Sequence, residues 1–102
     1  MNSEIINNLE SAINSIEQFE KETNTSIRKL AIADIDTLID QLSEYTIDEC
    51  DIDLVLESHD EIFEYCIKYS DNKSINDALQ YVQLVISEFD SEIRFIDINE
   101  YL

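Results

Sequence analysis

Apolar residues recur along this chain at alternating intervals of three and four, the spacing that places side chains on one side of an α-helix. In the first such run Ile5, Leu9, Ala12, Ile16 and Phe19 follow one another, reinforced by Ile6 and Ile13. Ser3 stands where an N-cap belongs. "TNT" at 23–25 supplies side chains that compete for backbone hydrogen bonds, so a break is expected there. A second run carries Ile27, Leu30, Ala31, Ile35, Leu38, Leu42 and Tyr45 on its inner side.

The third run has two possible starts. Thr46 and Glu49 have the spacing of a capping box, and Ser58 and Glu61 repeat it twelve residues on. The apolar stripe of Ile52, Val55, His59, Ile62, Cys66 and Tyr69 passes through the second box without changing phase, which predicts one helix with room for a kink near 57–58. After "SDNK" at 70–73, Ser74 is placed to cap a fourth helix containing Ile75, Leu79, Val82, Ile86 and Phe89. The last stretch, "SEIRFIDINEYL", fits strand alternation, helix continuation or a short docked helix equally well. Linkers of about four residues join antiparallel neighbours. The expected fold is all-α: one acidic domain over 1–102, an antiparallel bundle of about four helices with an ambiguous C-terminal segment.

Composition supports that pattern. The chain has no Gly and no Pro, which all-β folds need in quantity for tight turns, whereas helix connections manage with Asn, Asp, Ser and Thr. At 102 residues and 44% hydrophobic it can fill one core. Charge alters the picture more. Six Lys and Arg stand against 24 Asp and Glu, a net charge of −18. Phosphate backbones are bound through cations that displace counterions, so neither direct nucleic-acid binding nor attachment to an anionic membrane is expected. The start, "MNSEIINNLE", has no basic leader region, and no apolar run approaches the roughly 18–20 residues of a membrane span. A cytoplasmic protein with two reduced thiols, Cys50 and Cys66, is the expectation.

Most catalytic chemistry lacks its residues. Without Gly there is no phosphate-binding loop, dinucleotide fingerprint or nucleophile elbow. An EF-hand starting at Asp71 would lack its central Gly and end on Val82. Position 56 is Leu, so the lone histidine, His59, has no Glu three residues before it and no di-iron motif forms. Cys50 and Cys66, 16 residues apart, would be about 24 Å apart on one helix, too far to share a zinc ion or a disulfide. His59 is read as a core or core-edge side chain with one hydrogen-bond partner, and Asp34 is a candidate for it. No enzyme activity, cofactor or metal is expected.

What remains is a carboxylate face. At about 100° per residue, Glu49, Asp53, Glu57, Asp60, Glu61 and Glu64 fall within an arc of about 120° opposite the third helix's apolar stripe. Only Lys68 interrupts that side. Like charges at i,i+4 destabilise a helix by about 0.2–0.5 kcal/mol each, and a face meant only for solvation would intersperse Lys. Asp36, Asp40 and Glu44 repeat the theme on the second helix. Leu54 and Tyr65 are expected beside the face, pointing away from the core, either as apolar anchors for a partner or packed against the C-terminal segment.

These features suggest an inhibitor that meets a basic partner, such as a nuclease or another nucleic-acid-binding complex, and blocks its nucleic-acid groove. In size, acidity and helicity, with no motif behind the likeness, the chain resembles toxin-immunity proteins and phage-encoded nucleic-acid mimics, including anti-CRISPR inhibitors. The alternatives are a self-associating structural or adaptor bundle, whose acidity would serve solubility, and a low-affinity divalent-cation buffer. Monomer and homodimer stay open at this point.

Overall fold

Each of the four apolar stripes becomes a helix. The computed structural model describes residues 2–26 and 29–89, and over them the chain forms α1 (Ser3–Thr23), α2 (Lys29–Glu44), α3 (Ile52–Lys68) and α4 (Lys73–Phe89), with no strand. Ile27, and the side chains of Leu30 and Ala31 expected on the second helix's inner side, lie outside the described residues, as does "SEIRFIDINEYL".

Hydrogen bonds between helix ends give the directions. Asn2 Nδ2 donates to the carbonyls of Leu42 (3.0 Å) and Tyr45 (2.9 Å), so α1 starts where α2 ends. At the other end of α1, Glu22 Oε1 accepts from Ser74 Oγ (2.9 Å) and Asn72 Nδ2 (3.2 Å), where α4 begins. The hydroxyls of Thr25 and Tyr69 lie 3.1 Å apart at that same end, where α3 finishes. The four helices therefore run up, down, up, down. α1 packs most extensively against α4, α3 lies between α4 and α2, and α1 meets α2 more lightly than it meets α4.

One core joins them. Leu9, Ile16, Phe19, Ile35, Leu38, Val55, Ile62, Ile75, Val82 and Ile86 are fully buried, each such side chain contributing about 1.5–3 kcal/mol when removed from water. Left-handed backbone at the end of α1, usually a glycine's place, is taken by Asn24 (φ 52°), whose short polar side chain tolerates it.

The expected boundaries shift in three places, while the single third helix expected through Ser58 does form. Asn2, not Ser3, stands at the N-cap position of α1. The Thr46–Glu49 capping box forms, but it closes a 3-10 turn over Ile47–Glu49; α3 starts later, with Asp51 Oδ1 accepting from Asp53 N at 2.9 Å. Ser58 starts nothing: its hydroxyl donates to the Leu54 carbonyl (2.9 Å) and α3 runs through it from Ile52 to Lys68. Asn72, not Ser74, caps α4, its Oδ1 accepting from Ile75 N at 2.9 Å.

The buried face of α3 also differs from the expected one. Val55, Ser58, Ile62 and Cys66 are buried, while Ile52, His59 and Tyr69 are only partly so. This is a rotation of about 25° toward the side of Leu54 and Tyr65. Ser58, small and bonded to the Leu54 carbonyl of its own helix, takes a buried place on that side. Tyr45, expected inside, is 51% exposed, because α2 ends at Glu44 and the chain turns away there.

Candidate protein-interaction surface

Asp53, Glu57, Asp60 and Glu64 are exposed in one row along α3, at steps of four, three and four residues. The row spans about 16 Å of helix axis. Asp36, Asp40 and Glu44 are exposed on the neighbouring α2. α2 and α3 pack against each other, so neighbouring helices each carry an exposed carboxylate row.

The other expected residues sit differently. Glu49 is exposed but belongs to the 3-10 turn, where its Oε1 accepts from Thr46 Oγ1 (2.8 Å) and Thr46 N (3.4 Å). Glu61 is half-buried, with its Oε1 out of contact with solvent. Leu54 and Tyr65 do not point outward: both are partly buried and pack on the core, Tyr65 edge-on against Phe19. The rotation of the helix explains both. Each keeps part of its surface exposed, and Tyr65 lines a recess with Glu61, Glu64 and Lys68, but more exposed apolar side chains stand elsewhere beside the acidic rows.

Two apolar side chains occupy that position. Ile67, 36% exposed, stands three residues beyond Glu64 and seven beyond Asp60, on their side of α3. Tyr45 stands at the end of α2, next to Glu44. The heptad spacing to Asp60 was a usable sequence signal for Ile67. Nothing in the spacing reveals Tyr45, which continues the inner stripe of α2.

The electrostatics of the rows are largely uncompensated. Among the described residues the ion pairs are Lys73 Nζ with Asp77 Oδ2 (2.7 Å) and the weak contact of His59 Nδ1 with Asp60 Oδ1 (3.5 Å). Lys68, the one cation on α3, lies over the ring of Tyr69, 5.7 Å from its centroid. The Asp34 carboxylate on α2 faces Glu57 across the helix seam. That neighbour is the main cause raising the Glu57 pKa above the ordinary carboxylate value, with a smaller part from partial burial and from the shared hydrogen bond.

The expected Asp34–His59 pair is replaced by this carboxyl pair. Glu57 and His59 lie on opposite sides of α3, toward α2 and α4 respectively, so Asp34 on α2 meets the former. His59 instead has its Nε2 3.3 Å from Gln83 Nε2 on α4, and its ring stacks on Phe63. An amide that donates there requires an unprotonated Nε2, and burial lowers the His59 pKa accordingly.

The thiols are free. Cys66 is buried, donates to the Ile75 carbonyl (3.4 Å) and has its pKa pushed up to about 12 by burial. Cys50 lies before α3 starts, on the far side of the 3-10 turn. No three His, Cys, Asp or Glu side chains among the described residues are grouped to hold a metal ion. None of the described helices is long and apolar enough to cross a membrane. Comparison of the chain with protein-family models, curated proteins and solved structures finds no match.

Proposed function

We propose that this protein is a small inhibitor that binds the basic nucleic-acid-binding surface of another protein, a nuclease or nucleic-acid-processing complex, by electrostatic mimicry. One observation carries the reading: Asp53, Glu57, Asp60 and Glu64 form an exposed row on one helix, and the neighbouring α2 carries a second exposed row of its own. Carboxylates held in file can occupy a groove built for phosphates, and their field speeds encounter with a cationic partner. The chain acts by occupancy, without catalysis or cofactor. Immunity proteins and phage-encoded mimics such as anti-CRISPR inhibitors work in this general way, in a bacterial cytoplasm.

The test is affinity capture from the source cell at low and high salt, followed by competition. The captured protein should bind nucleic acid, and the chain should displace that nucleic acid. Replacing Asp53, Glu57, Asp60 and Glu64 together by Lys should preserve helicity and abolish capture. Capture undiminished by the fourfold change, or a captured protein indifferent to nucleic acid, would sink the reading.

A second reading, a bundle that works through self-association, is favoured by the outward side of α4. There Gln80, Leu84 and Ser87 form a stretch without charge, and Leu84 is 54% exposed. Light scattering separates the two: a dimer that persists at high dilution speaks for the adaptor.

A further inference from the structure

The corner where α2 passes into the 3-10 turn is concave. Leu42, Tyr45 and Ile47 give it an apolar wall, with Glu44 and Glu49 at its rim, around an open recess of about 620 Å³. Tyr45 stands in the open there, 51% exposed. Short polar contacts hold the surrounding backbone. Asn2 Nδ2 bridges the Leu42 and Tyr45 carbonyls, and Gln41 Oε1 accepts from Asp51 N at 3.0 Å. The Glu49 carboxylate is itself held by Thr46. The backbone that carries Tyr45 and the Glu49 carboxylate are therefore placed before any ligand arrives.

We propose that this corner receives an arginine side chain of the basic partner, and so supplies an anchor more exposed than Leu54 and Tyr65. The inference rests on the reading of the protein as a binder of a basic surface. Arginine matches each feature. Its three-carbon stem covers apolar wall, its planar guanidinium stacks on a tyrosine face, and its fork of N–H donors fits a carboxylate in two-point fashion. Lysine offers a hydrated point charge with neither plane nor fork. A second copy of this chain would bring like charge to the same rim, so it is the wrong occupant for a site flanked by Glu44 and Glu49. Position adds to the chemistry. The corner ends the row of Asp36, Asp40 and Glu44 on α2, so a partner lying along that row reaches Tyr45 at its end.

The experiment titrates the full chain, labelled with nitrogen-15, at low salt with the acetylated, amidated tripeptide Gly-Arg-Gly and with Gly-Lys-Gly. Amide shifts should concentrate at residues 42–49, with the arginine peptide bound about two- to fivefold more tightly than the lysine peptide. Tyr45→Leu should erase that difference and Tyr45→Phe should keep it; circular dichroism confirms that both variants stay helical. Glu44→Gln should weaken both peptides. Equal binding of the two peptides, a difference that survives Tyr45→Leu, or silence at 42–49 overturns the proposal. Shifts along Asp53–Glu64 with 42–49 silent remove this corner alone, and the acidic-row reading is then judged by the capture and competition experiment.

Discussion

Tyr65 meets Phe19 edge-on, their ring centroids 5.9 Å apart and their planes at 68°. Tyr69 approaches the same phenylalanine at 5.1 Å and 76°. These two contacts tie the C-terminal half of α3 to the end of α1, and they make Tyr65 part of the scaffold. Tyr65→Ala should lower stability by about 2–3 kcal/mol in urea unfolding, somewhat less than the roughly 3–5 kcal/mol typical of a fully buried aromatic such as Phe19. The folded fraction should bind a basic partner as before. A variant of unchanged stability that lost binding would return Tyr65 to the interface.

The Asp34–Glu57 pair makes a pH prediction. With Asp34 beside it, Glu57 holds its proton to higher pH in the folded protein than at its ordinary value of 4.5. The folded state then binds more protons than the unfolded one, so this pair costs stability above the folded pKa and the cost fades as pH falls through it. Glu57→Gln should raise the urea midpoint at pH 7, with a gain that shrinks toward pH 4. Carboxyl NMR should place the Glu57 midpoint above 4.5.

His59 works in the opposite sense. Burial against α4 holds its pKa below 6.5, although Asp60 pulls it partly back. The unfolded chain takes up the proton first. Stability from this group is therefore full above about pH 6.5 and declines as pH drops through 6.5 to the folded pKa. Proton NMR of the ring should show a midpoint below 6.5. His59→Gln should flatten the decline between pH 6.5 and 5; an unaltered slope would show that His59 does not cause it.

The two thiols should separate cleanly. Cys66 is inside, with a pKa near 12, whereas Cys50 is partly exposed on the connection before α3. Burial and the approach of Glu49 raise the Cys50 pKa too, which slows its reaction without preventing it. At pH 8 a disulfide reagent should titrate one thiol in the native protein and the second only on adding denaturant. Cys50→Ser should remove the first reaction; two thiols reacting together would place Cys66 at the surface.

The periodicity of apolar residues by itself determined the four helices of the described residues, because a stripe at three-and-four spacing has no other way to leave water. Absent Gly and Pro ruled out the competing turns. Exposure of the rows on α2 and α3 was equally legible, since a stretch carrying Asp53, Glu57, Asp60 and Glu64 at steps of four, three and four cannot turn that side to a core. Rotation of α3 was not. Leu54 and Tyr65 against His59 and Ile52 is a choice between neighbouring sectors of one helix, settled by which partners crowd it. The same holds for Tyr45. Its spacing matches the core of α2, but the helix stops one residue short of it, held by an Asn2 forty residues away in sequence. Local pattern sets which side of a helix is apolar; only the packing of α1, α2 and α4 around α3 decides which apolar side chains are left over for a partner.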